Sequence, residues 1–242
     1  MIEHELDIKT ADGEMNTFIT HPEEDGPHPV VLFYMDAPGK REELHDMARR
    51  IATVGYYVIL PNLYYRRVRD FVITPESRAD MFGHMNSLSN QMVNEDTAAM
   101  LEHAANDPNA GDGAVGCVGY CMSGPFVFAA AAAFPDRIAA SASLHGVRLC
   151  TEAEDSPHRD VDRIKAELYF GCAETDEWAP KEMIDALEAH MKETDANYRI
   201  EWYPDTAHGF VFPLRDGVYH KAAAERHWER LFGLFERNLK TA

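Results

Sequence analysis

The chain has 242 residues, 45% of them hydrophobic, and 41 Asp+Glu against 23 Lys+Arg give a formal net charge of −18. That composition excludes a disordered chain, and the acid excess argues against nucleic acid, whose phosphates it would repel. No apolar run approaches the ~18 residues of a membrane span, the charged opening MIEHELDIKT is unlike a signal peptide, and four cysteines in this length do not suggest a disulfide framework. The expectation is a cytoplasmic globular protein with one domain over residues 1–242, no membrane or nucleic-acid partner, and an oligomeric state left open, a monomer included.

Two alternating stretches, Ile2–Lys9 and Glu14–Thr20, flank Ala11-Asp12-Gly13, a hairpin signal. Pro29–Met35 is a continuous apolar run, as expected of a strand covered on both faces. Lys40–Val54 carries a helical stripe of Leu44, Met47, Ala48 and Ile51, stopped by Gly55, and Tyr56–Leu60 is a second buried strand. The polar region from Tyr64 to Gln91 reads as loop plus one helix. Beyond it, Asn94–Ala105 is a helix, Ala114–Val118 a strand and Phe126–Phe134 an alanine-rich helix. Ile138–Leu144 and Leu168–Cys172 are strands, Pro180–Met191 a helix, and Tyr198–Tyr203 the last strand. A closing helix, Val218–Leu239, bears a packing stripe of Trp228, Leu231, Phe232, Phe235 and Leu239. Strand and helix alternate after the hairpin, so a mainly parallel sheet of about eight strands with helices on both faces is expected, with ligand chemistry at the carboxyl ends of the strands.

One segment stands out. In VGCVGYCMSGP an apolar strand runs into Gly119-Tyr120-Cys121-Met122-Ser123-Gly124 and then a helix, the layout of a nucleophile elbow. Cys121 there would face a helix N-terminus, which favours thiolate, and the Met122 N–H would point where an oxyanion forms. Read alone, Cys121 could equally be a small buried hydrophobe, as Cys117 inside the strand is expected to be. Asp176 follows the strand that ends near Cys172, and His208 lies in the loop after the last strand. The order nucleophile, acid, base is that of an α/β-hydrolase. In that arrangement Cys121 forms an acyl intermediate, His208 moves protons, and Asp176 fixes its tautomer. Asp176 could instead cap a helix, and Glu174 and Glu177 are rival acids in the same loop.

The GYCM elbow, the aspartate four residues before Pro180, the AHGF context of His208, and the run Gly39 to Gly55-Tyr56 followed by Leu60-Pro61-Asn62-Leu63-Tyr64 resemble the dienelactone hydrolases, α/β-hydrolases with a cysteine nucleophile. The resemblance runs from about Pro29 to the last helix. It implies a carboxylate close to the nucleophile at Asp36, where the family has a glutamate one methylene longer, and an oxyanion hole completed by the Ala37 N–H. It also implies arginines for the substrate carboxylate. Phe212 occupies one of those positions, the nearest arginine is Arg215, and Arg78 could supply the other contact. Ser123 stands at the family's second elbow glycine and could tighten the turn or line the pocket; Tyr120, its elbow neighbour, is a further candidate for the substrate site.

Other signals fail. Gly111-Asp-Gly113-Ala-Val-Gly116 spells a dinucleotide fingerprint but precedes a strand instead of following one. No His or Cys spacing suits a zinc site. The reading is therefore a cofactor-free, metal-free hydrolase of small esters or lactones. Acyl transfer to another acceptor, or a fold kept for binding or redox sensing, stay as alternatives.

Overall fold

The structure, a computed structural model, describes residues 1–240. Its centre is one eight-stranded sheet in the order β1-β2-β4-β3-β5-β6-β7-β8. The hairpin β1 (Ile2–Thr10) and β2 (Gly13–His21) turns at Gly13, whose φ of 139° suits a residue without Cβ. β2 joins β4 (Tyr57–Pro61) antiparallel, and every later pairing is parallel: β4 with β3 (Val30–Tyr34), then β5 (Val115–Tyr120), β6 (Ile138–Leu144), β7 (Glu167–Thr175) and β8 (Tyr198–Ala207).

Strands β3, β4 and β5 are buried along their whole length, as the unbroken apolar runs require. Both faces are covered. A Cβ on Gly116 would collide with Leu239 and Phe235 of α6 (Lys221–Leu239), while the next residue, Cys117, reaches the Val127 carbonyl of α4 (Gly124–Ala133) on the other side. Every residue of α4 from Gly124 to Ala132 is buried, so this helix is apolar all round and belongs to the core. α1 (Glu42–Ala52) packs its Leu44, Met47, Ala48 and Ile51 stripe inward and meets α6 through Arg50, which pairs with Glu225 and lies 4.8 Å above the Trp228 ring. Of the expected α6 stripe, Trp228, Leu231, Phe235 and Leu239 are buried and Phe232 is partly so.

Several element boundaries differ from expectation, and two of them bear on the site. The Tyr64–Gln91 region contains α2 (Arg78–Met85) and the first turn of α3 (Asn90–Asn106), which starts four residues early because Ser89 caps it by accepting from the Met92 N–H at 3.2 Å. β8 runs four residues further than its apolar part, to Ala207, and so carries the chain to His208. Among the described residues no helix is long and apolar enough to cross a membrane.

Candidate active site

Strand β5 delivers Cys121. The strand ends at Tyr120, and Cys121 opens a 3₁₀ turn, Cys121–Ser123, that runs into α4. Its φ of 56° is left-handed, a conformation that costs an L-residue about 1–2 kcal/mol. Two glycines permit the turn. A Cβ on Gly119 would stand 2.4 Å from the Ser123 carbonyl oxygen, and one on Gly124 would stand 2.4 Å from the Gly146 Cα. The turn is then tied at both sides. Ser123 donates from Oγ to the Met35 carbonyl at 2.5 Å, beyond the end of β3, and the Val147 N–H donates to the Cys121 carbonyl at 3.1 Å. Ser123 is thus a buried fastening and does not line the cavity. Cys121 is partly exposed, whereas burial pushes the Cys117 thiol up to about 12, as an inert thiol should be.

β7 and β8 bring Asp176 and His208 together. His208 Nδ1 lies 2.7 Å from Asp176 Oδ2, and the Asp176 side chain is almost completely covered. Its other oxygen, Oδ1, accepts the N–H groups of Trp178 and Ala179, both at 2.9 Å, so the carboxylate cannot swing away. The rivals are elsewhere: Glu174 is exposed and accepts the Asp205 N–H, and Glu177 is exposed. On the far edge of the ring, His208 Nε2 is buried without a hydrogen-bond partner, and His208 and Cys121 line the same cavity. Burial disfavours the charged imidazole, yet the bond to Asp176 and then the nearby Cys121 sulfur outweigh it, and His208 rises to about 9.

Asp36 lies beyond β3 and is completely buried, but its partners are cations. Arg41 Nη1 donates to Oδ1 at 2.5 Å, and Arg215 Nη2 donates to Oδ2 at 2.6 Å. Arg41 also holds Glu43, and Glu43 accepts the Leu214 N–H at 3.0 Å. The Phe212 ring lies beneath both guanidiniums, 4.3 Å from Arg215 and 5.4 Å from Arg41. The hydrogen bonds of Asp36 therefore go to arginine, not to Cys121, which leaves it the anchor of a four-charge cluster. Phe212 is buried under that cluster, and Tyr120 is buried with its hydroxyl 3.0 Å from His227 Nε2. Neither touches the cavity, which corrects the expectation that they contact substrate.

The cavity itself, about 680 Å³, opens at the carboxyl ends of the strands. Cys121, His208, Ala37, Arg78, Arg148 and Arg215 are among its walls. Among the described residues the Ala37 N–H has no acceptor, as an amide kept for an oxyanion should be. Tyr64 braces that corner: its hydroxyl donates to the Ala37 carbonyl at 2.8 Å and lies 3.2 Å from Met122 Sδ. Arg148 is held by Asn86 Oδ1 at 3.0 Å, and neither it nor Arg78 has a carboxylate partner among the described residues. Among those residues no group of histidine, cysteine and carboxylate side chains could hold a metal ion.

Sequence reasoning missed Arg41, Tyr64 and Arg148. For Tyr64 a faint signal existed, since it closes the Leu60–Tyr64 stretch already singled out. Arg148 acts across 62 positions, which no local pattern encodes, and Arg41, though near Asp36 and Glu43 in the chain, sits in a loop-to-helix junction with no periodic signal.

A model of the dienelactone hydrolase family matches residues 15–239. The chain belongs to that family. Its relatives include a protein of Escherichia coli K12 provisionally named a carboxymethylenebutenolidase, 27% identical over 237 residues that cover 95% of this chain and 85% of the relative. The carboxymethylenebutenolidase of Rhodococcus opacus is 24% identical and covers 88% and 83%. The fold, that of the α/β-hydrolases, is shared with a solved structure from Klebsiella pneumoniae provisionally described as a dienelactone hydrolase, with a TM-score of 0.87 at 23% identity over 97% of this chain and 98% of that one. Within this hydrolase family, the cysteine elbow, the Asp176–His208 pair and the unpaired amide of Ala37 form one cluster around one cavity.

Proposed function

We propose that the protein hydrolyses carboxylic esters, lactones included, through an acyl-thioester on Cys121. The observation that carries this reading is His208: Nδ1 is bound to a fixed carboxylate while Nε2 is free and shares the cavity with Cys121. Cys121 Sγ attacks the acyl carbon as thiolate, and the carbonyl oxygen gains its negative charge between the N–H groups of Met122 and Ala37. The carbon–oxygen bond to the leaving group breaks as His208 Nε2 delivers a proton to that oxygen. In the second half, water loses a proton to Nε2 and attacks the thioester, and the carboxylate product departs as sulfur leaves. Asp176 keeps the ring in the tautomer that presents Nε2.

Asp36 takes no proton in this scheme. It holds Arg215 against the His208 loop and fixes the backbone that carries the Ala37 amide. The arginines at the cavity suit a substrate with a carboxylate, such as the lactone the relatives' name describes, and Arg78 and Arg148 at the rim are those without an internal anion. Four unpaired cysteines accord with a reducing compartment such as the cytoplasm.

Turnover of 4-nitrophenyl acetate tests the reading. Wild type should hydrolyse it, with acetate and 4-nitrophenolate as products. Cys121→Ala and His208→Ala should each lose at least about 10³-fold in kcat. Full activity in either variant would refute the mechanism.

A further inference from the structure

The cavity is built for more than a small lactone. At about 680 Å³ it lies within the range of sites that enclose drug-sized ligands. One wall is α2, which presents Arg78, Met81, Phe82 and Met85 to the space, the i, i+3, i+4, i+7 face of a helix. None of the residues of α2 is fully buried: Met81 and Met85 rest partly on the core, and the rest of this apolar face is left to the cavity. Opposite stands Trp178, 51% exposed, whose ring stacks on Phe82 with centroids 5.8 Å apart. Its backbone N–H is bound to Asp176 Oδ1 at 2.9 Å, so this aromatic pair joins α2 directly to the loop that holds the acid.

Exposed apolar side chains also belong to this cavity. Among the described residues six large hydrophobic side chains are exposed. Of these, Ile73 and Trp178 line the cavity, while Val72 and Leu214 line two other hollows. Ile73 and Trp178, beside the apolar face of α2, mark a site that an apolar ligand completes.

We propose that Met81, Phe82, Met85 and Trp178 form a subsite for an apolar acyl chain, so that the preferred esters carry aliphatic or aryl-alkyl acyl groups of about six or more carbons. This rests on the reading of Cys121 as the acylated residue. The acyl group stays bonded to Sγ after the alcohol leaves, so a wall beside Cys121 acts on it in both halves of the reaction.

The test is a series of 4-nitrophenyl acetate, butyrate, hexanoate and 4-phenylbutyrate with wild type, Phe82→Ala and Trp178→Ala. A buried methylene contributes about 0.8 kcal/mol, or about fourfold in kcat/KM. Hexanoate and 4-phenylbutyrate should therefore exceed acetate by at least tenfold, chiefly through KM, and each substitution should shrink that preference at least threefold. Phe82 lies on a helix with no fully buried side chain, so its replacement leaves the fold intact. A flat or falling series with normal acetate turnover overturns the subsite alone, as does a preference that survives both substitutions. Absence of turnover with every ester, acetate included, in a folded protein overturns the hydrolase reading and the subsite with it.

Discussion

Asp36 shows how one side chain changes role with its neighbours. A buried carboxylate without a partner would be a strong base, but here two guanidiniums neutralise it, and Glu43 balances the second of them. Removing one member of such a group leaves uncompensated buried charge, which costs roughly 3–5 kcal/mol. Asp36→Asn should therefore lower stability by about 3 kcal/mol in urea unfolding, whereas alkylation of Cys121 by iodoacetamide, followed by intact mass in the folded protein, should slow less than threefold. A tenfold slower alkylation would restore Asp36 to the thiol. The residue types of the site were readable in the chain, because Cys121, Asp176 and His208 each follow a strand at a place where only a loop or turn fits. The arginine cluster was not. Asp36 and Arg215 are 179 positions apart, and nothing in the local pattern around either one announces the other.

Elements differ in legibility for the same physical reason. The β5-turn-α4 unit declares itself because two backbones pass so closely that only glycine fits, and closeness of that kind leaves a mark in the sequence. Gly124→Ala would place a methyl 2.4 Å from the Gly146 Cα and 2.6 Å from Ser143 Oγ. Overpacking of this order costs about 3 kcal/mol, which should appear as a fall of about 6–12 °C in Tm for a chain of this size, together with loss of turnover as the turn shifts. α2 leaves no such mark. Its apolar face meets a cavity, so its pattern is short, mixed with Arg78 and Asp80, and indistinguishable from loop until the opposite wall is known. α2 should accordingly exchange its amide hydrogens well before α4, which is buried on every side; hydrogen exchange with mass spectrometry reads this directly.

For the molecule as a whole, the buried histidines set opposing limits on stability. His208 is raised to about 9, so it binds its proton more tightly folded than unfolded; the stability it contributes is complete below about pH 6.5 and is lost as pH rises through about 9. His227 is the reverse. Burial lowers it to about 4, and its neutral ring donates to the Ala224 carbonyl while accepting from Tyr120. That contribution is complete above about pH 6.5 and is lost as pH falls toward 4. Urea midpoints measured from about pH 4.5 to 9.5 should therefore peak near about pH 6.5. Asp176→Asn should flatten the alkaline side and leave the acid side in place.

The left-handed backbone at Cys121 reaches beyond mechanism into descent. At that φ a glycine is at ease and an alanine is not, so Cys121→Gly should be more stable than Cys121→Ala by about 1 kcal/mol, measured by urea unfolding of the two variants side by side. Selection for a functioning thiol and selection for a durable fold thus pull this position in opposite directions. In any lineage where the substrate disappears, the first restraint lapses and the second remains. On the proposal that Cys121 carries the acyl group, glycine at this position would then record a retired enzyme, and cysteine one still held in service.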